Sequence, residues 1–153
     1  MNTSKREFLG KTLTAGAGLA VAAFLGSTRA FAAAEDVQKA IEEFAGGKTP
    51  GEGVITLNTP EIAENGNSVP VSVSVESPMT EDDYVESVMI LAEGNPSAQV
   101  ATFHFTPASG EAVASTRMRL AKTQNVLAVA KMSNGDVFSA TNNIKVTIGG
   151  CGG

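Results

Sequence analysis

One thiol is available for sulfur or nucleophilic chemistry in the 153 residues. It is Cys151, set in Gly149-Gly150-Cys151-Gly152-Gly153. Glycine has no Cβ and loses the most conformational entropy on ordering, so such a segment resists a fixed shape. A terminal stretch with no side chain to bury is expected to stay outside the packed domain. The pattern predicts a flexible arm over 149–153, formed by Gly149, Gly150, Gly152 and Gly153 and presenting Cys151 with minimal bulk. Glycine runs also serve as plain linkers. That reading accounts for the glycines but not for the place of the one cysteine among them.

The remaining residues supply no catalytic partner. His104 is the single histidine, on the polar face of an expected strand, with no second histidine or cysteine near it in sequence. A Cys-His pair would need the thiol held against it, the opposite of what a mobile tail does. Glu81-Asp82-Asp83 lacks the ligand spacing and the glycine of a calcium loop and reads as a solvated turn, so no metal site is assigned. Arg117 and Arg119 share a face and would suit an anion, but the outward face of a strand explains them as well. No glycine-rich loop joins a strand to a helix as at phosphate sites. Lys145 is the basic residue nearest Cys151 in sequence. An unassisted thiol is mostly protonated at neutral pH, and a carboxylate two residues on disfavours the thiolate further. Such a thiol suits carrying a group covalently, with activation from another protein's active site. No catalytic residue and no cofactor are assigned.

The elements that must position this arm lie in residues 35–148. Glu35 to Gly47 reads as a helix: Val37, Ala40, Ile41, Phe44 and Ala45 share a face, Asp36 is the expected N-cap, and Gly46-Gly47 supply the stop. From Gly53 the period changes to two. Val69, Val71, Val73 and Val75 alternate with polar residues, as do Ala101, Phe103 and Phe105, then Met118 and Leu120, then Ile144, Val146 and Ile148. Val88 to Leu91 and Val126 to Met132 are continuous apolar runs. Ser133-Asn134-Gly135-Asp136 before Val137-Phe138 is a strong hairpin signal. Seven or eight short strands separated by turn clusters predict a mainly β fold, an antiparallel immunoglobulin-like β-sandwich with one N-terminal helix. The last strand runs to Ile148 without a linker. The arm is therefore expected to leave the rigid edge of the sandwich at Gly149, with the Cys151 backbone roughly 10 Å beyond it at about 3.6 Å per residue.

Residues 1–34 read as an export signal: Lys5-Arg6 and Phe8-Leu9, a weakly apolar run from Thr12 to Leu25, and small residues at Ala30-Phe31-Ala32. The run is shorter than the about 20 apolar residues of a membrane-spanning helix. The pattern is similar to a twin-arginine signal, with Lys5 where that motif has its first arginine. Cleavage is expected between Ala32 and Glu35, and the destination is periplasmic. Export sharpens the meaning of Cys151, because a lone cysteine in an oxidising compartment implies an intermolecular bond or a reactive group. The chain carries a formal charge of −5; without 1–34, seven basic and fifteen acidic residues remain, a balance of −8. Such a body repels nucleic acid and anionic membranes.

An acidic, β-rich body behind an export signal, with Gly-Gly-Cys-Gly-Gly at its end and Pro60-Glu-Ile-Ala-Glu-Asn-Gly-Asn-Ser-Val-Pro70 within it, resembles the SoxY family, carrier subunits of the thiosulfate-oxidising Sox system. The resemblance covers the whole chain. It implies a heterodimer with SoxZ, a second small β-sandwich, and sulfur intermediates held covalently on Cys151. It further implies transient partners: SoxAX to couple thiosulfate to the thiol oxidatively, SoxB to hydrolyse the terminal sulfone, and SoxCD to oxidise the remaining sulfane sulfur. The carrier catalyses none of these steps. Without a partner, Cys151-linked homodimers are expected. Two other readings stand beside this one. Gly152-Gly153 is similar to the end of ubiquitin-like proteins that carry sulfur as a C-terminal thiocarboxylate. A non-catalytic interaction module cross-linked through its terminal cysteine would also fit.

Overall fold

The computed structural model describes residues 28–150. Most of the expected export signal, and Cys151, Gly152 and Gly153, lie outside the described residues. The elements are α1 (Thr28–Ala45), β1 (Ile55–Asn58), β2 (Ile62–Asn65), β3 (Val69–Val75), β4 (Val85–Ala92), β5 (Gln99–His104), β6 (Ala112–Met118), β7 (Gln124–Met132) and β8 (Val137–Ile148), with a single 3-10 turn at Pro107–Ser109. The strands form a three-stranded sheet of order β1-β3-β6 and a five-stranded sheet of order β2-β8-β7-β4-β5. The two sheets face each other as a sandwich, and α1 covers the outer face of the larger one. Among the described residues no helix is long and apolar enough to cross a membrane.

Two apolar clusters follow from strand alternation. Successive side chains of a strand point to opposite faces. In β4, Val88, Ile90 and Ala92 enter the core between the sheets, while Met89 and Leu91 meet the helix. In β7, Val126, Ala128, Ala130 and Met132 go inward, and Leu127 and Val129 go to the helix side. Both central strands are covered on both faces, which is why they read as unbroken apolar runs. β3 has one covered face, and its four valines are buried in alternation with Pro70, Ser72 and Ser74. From α1, Val37 and Ala45 are buried, with Ala40, Ile41 and Phe44 packed around them. The helix stops where expected, at Gly46 (φ 62°) and Gly47 (φ 81°), a left-handed backbone that favours glycine.

Several sequence expectations are corrected. Asp36 does not cap the helix; α1 begins at Thr28 and runs through it, because the alanine-rich segment before Glu35 continues the helix without a break. The runs at Val137-Phe138 and Ile144–Ile148 are one twelve-residue strand, β8. The strand expected around Met118 and Leu120 lies earlier, over Ala112–Met118, and Leu120 follows it as a buried loop residue. β1 and β2 were not anticipated individually, being four residues each with little alternation. The sandwich is antiparallel except at one edge, where β2 pairs parallel to β8. The hairpin expected at Ser133–Asp136 joins β7 to β8: Gly135 takes φ 86°, and the Asp136 N–H donates to the Asn134 side chain at 2.8 Å.

Candidate functional site: the root of the C-terminal arm

β8 delivers the chain to Gly149 and Gly150 at one end of the sandwich. Topology brings three loops to the same end: 66–68 after β2, 93–98 after β4, and 119–123 between β6 and β7. The first and third of these hold the arm. The Gly66 N–H donates to the carbonyl of Ile148 at 2.7 Å, the Leu120 N–H donates to the carbonyl of Gly66 at 2.8 Å, and the Gly150 N–H donates to the carbonyl of Leu120 at 2.9 Å. Gly66, Leu120 and Gly150 are all buried, and the Leu120 side chain has no exposed surface.

The arm glycines are thereby reassigned. Gly149 and Gly150 were expected in the flexible arm; their backbone instead rests against the body, and the anchored chain extends to Gly150. The physical cause is room. A Cβ on Gly149 would overlap the Ala121 carbonyl oxygen, and one on Gly150 would come within 2.7 Å of the Gly66 oxygen. Neither glycine has a positive φ, so close approach and not backbone conformation requires them. The expected reach shortens accordingly. From a root at Gly150 the Cys151 Cα is one step away, about 3.8 Å.

The loop under the arm is itself pinned. Asn95 Oδ1 accepts from the Ala121 N–H and from Gln124 Nε2, each at 3.0 Å, and Asn95 Nδ2 donates to the Arg119 carbonyl at 2.8 Å. Gln124 is buried; its Oε1 accepts from the Gly94 N–H at 2.7 Å, and its Nε2 donates also to the Lys122 carbonyl at 3.0 Å. The Thr123 hydroxyl accepts from the Val146 N–H of β8 at 2.9 Å. The one buried side chain among them, Gln124, is bonded through both of its amide atoms, as a buried polar group must be.

The other candidate residues fall elsewhere. His104 is exposed on β5, with β7 and β4 between it and β8, and it pairs with Ser87 at the far end of the sheet from Ile148. At strand spacing and rise, His104 is roughly 40 Å from Ile148, where β8 ends. Glu81-Asp82-Asp83 is a turn at that same far end, closed by the Thr80 N–H donating to the Asp83 carbonyl at 2.9 Å. No cluster of metal-ligating side chains occurs among the described residues. Arg117 and Arg119 are at the arm end, both exposed. Arg117 donates to the Ser68 hydroxyl at 3.3 Å and lines an open groove of about 620 Å³ with Pro60, Pro70, Ser72 and Ser115. Sequence spacing named Lys145 as the basic neighbour of the arm. The fold adds Arg119 and Lys122, on either side of the Leu120-Ala121 pair that carries it. The signal missed in the sequence was Gly66, inside the Pro60–Pro70 motif.

Comparison with known proteins gives a consistent outcome. The family model for the sulfur oxidation protein SoxY matches residues 41–151. Among solved structures, the sulfur carrier protein SoxY from Chlorobium limicola f thiosulfatophilum is 35% identical, with a TM-score of 0.62, over 75% of this chain and 99% of that one. A superoxide reductase (neelaredoxin) from Ignicoccus hospitalis is 20% identical with a TM-score of 0.55, over 61% of this chain and 80% of its own. A superoxide reductase-like protein from Thermotoga maritima is 16% identical with a TM-score of 0.53, over 64% and 87%. The last two likenesses are of fold alone. No functionally curated protein matches the chain.

Proposed function

The chain belongs to the SoxY family of sulfur oxidation proteins, and from that premise we propose that it is the periplasmic sulfur carrier of a thiosulfate-oxidising system, with Cys151 as the point of covalent attachment. One observation carries the reading: the single cysteine of the chain stands one residue beyond an anchored backbone root, with only glycine after it.

The chemistry follows from sulfur bonding. Joining the Cys151 thiolate to the sulfane sulfur of thiosulfate forms a disulfide-type S–S bond and releases two electrons, which a c-type cytochrome such as SoxAX would accept. Hydrolysis of the terminal sulfone, the SoxB step, takes up water, liberates sulfate and leaves a persulfide on Cys151. Stepwise oxidation of that sulfur, the SoxCD step, can proceed without detaching it from the chain. The carrier holds and presents, and its partners supply activation. SoxZ is the stable partner in this reading. The family assignment leaves the ubiquitin-like thiocarboxylate reading without support.

Mass spectrometry of the protein from thiosulfate-grown cells tests the proposal. Adducts of sulfur or thiosulfonate mass on Cys151 are expected, and Cys151→Ser should fold normally and abolish thiosulfate-dependent turnover in a reconstituted system. Substantial turnover by that variant would sink the carrier reading.

A further inference from the structure

We propose that Gly66, in the motif between Pro60 and Pro70, is the seat of the arm: a positioning residue that sets the point and direction from which Cys151 leaves the domain. The inference rests on the carrier reading of Cys151. Gly66 is buried and lies between the end of β8 and Leu120, bonded to both through its own N–H and carbonyl. Its φ is not positive, so its backbone would accept alanine; what it lacks is space. A Cβ there would overlap the Leu120 carbonyl oxygen, the acceptor of the Gly150 N–H. It would also come within 2.5 Å of the Gly150 nitrogen and 3.0 Å of Val146 Cγ1. From the other side, a Cβ on Gly150 would come within 2.7 Å of the Gly66 oxygen and 2.9 Å of its carbonyl carbon. The two glycines are mutually required: each leaves the volume that the other's backbone occupies.

The groups that hold this contact do not yield easily. Leu120 is locked by a fully buried side chain, and the loop around it is bracketed by Asn95 and Gln124. A side chain added at Gly66 therefore displaces the arm root in preference to the core. A reacting group presented to several active sites in turn depends on a defined origin, because a misplacement of about 1 Å can cost up to about 100-fold in rate. Cys151 is one residue from that origin, too near for a displaced root to be corrected by slack in the arm.

The test compares Gly66→Ala, Gly150→Ala and the double variant as full chains in complex with the partner subunit. Gly150 follows the last strand, so its substitution leaves the sandwich able to fold even if Gly66→Ala does not. Each single variant is expected to lose the slow exchange of the backbone amide at position 150, seen by NMR, and to lower kcat/KM with the partner enzymes about 10-fold. The rate of Cys151 alkylation by iodoacetamide should stay within about twofold, since the thiol itself is unaltered. The double variant should fall no further than about 10-fold, because both changes break one contact. Losses that multiply to about 100-fold would mean two independent effects and overturn the seat. So would a freely exchanging Gly150 amide in the unsubstituted protein, or full kcat/KM in Gly150→Ala. Cys151→Ser in the same assay separates this from the carrier reading: its turnover reports the carrier, and the Gly150 amide reports the seat.

Discussion

At the scale of single residues, the chain uses glycine for two unrelated reasons. Gly46, Gly47 and Gly135 occupy left-handed backbone at a helix stop and a hairpin, where a Cβ is strained whatever the space around it. Gly66, Gly149 and Gly150 have ordinary backbone and are there because another main chain passes too close. The polar counterpart of this close packing is Asn95, whose one side chain serves the Ala121 N–H, the Arg119 carbonyl and Gln124. Asn95→Ala leaves these groups short of partners in a partly buried place and is expected to cost about 1–3 kcal/mol. Urea denaturation measures that loss. Because the Leu120-Ala121 segment is what Gly149 and Gly150 rest on, the same variant should speed exchange of the Gly150 amide under native conditions. Unchanged stability would mean that the 119–123 loop is held by its apolar contacts alone.

At the scale of elements, β4 and β7 carry the domain because each serves two interfaces. Ile90 lies between the sheets and Leu91 lies under α1, and neither has exposed surface. Ile90→Ala and Leu91→Ala should therefore both be costly, each by about 2–5 kcal/mol, from lost burial and the cavity left behind. A lone half-buried strand would give one large and one small effect. Chemical denaturation of the two variants decides between these; a near-neutral Leu91→Ala would mean that α1 does not cover that face in solution. The helix thus belongs to the stability of the domain, and the arm root is built on the β2–β8 edge of the five-stranded sheet.

At the scale of the whole molecule, topology separates two ends. The arm root lies at the end that carries Glu64, Glu93, Arg117, Arg119 and Lys122, whereas Glu81, Asp82, Lys131 and His104 lie at the other. The partner enzymes in the proposed cycle would approach the first of these ends. The single thiol of the chain also bears on what the protein does alone. Purified without its partner subunit or reductant, it is expected to form a disulfide-linked dimer that disappears on reduction and is not formed by Cys151→Ser. Non-reducing electrophoresis and analytical ultracentrifugation check this. A dimer that persists in the serine variant would place self-association on an open strand edge instead.

The sequence alone determined the family and the class of fold. The Gly-Gly-Cys-Gly-Gly end and the Pro60–Pro70 stretch carried the resemblance to SoxY, and alternation of apolar residues defined the β-sandwich, because side-chain periodicity and turn chemistry are written in neighbouring residues. β1 and β2 escaped that reading since four-residue strands are too short to show a period. The tertiary structure decided where the arm begins. Gly149 and Gly150 look like free linker in the sequence because their partners, Ala121 and Gly66, are distant along it. Their contact exists only after β2 has paired parallel to β8 and Leu120 has been buried beside them. Local composition reports how freely a glycine can move; only the packed fold determines whether another backbone already occupies the space beside it.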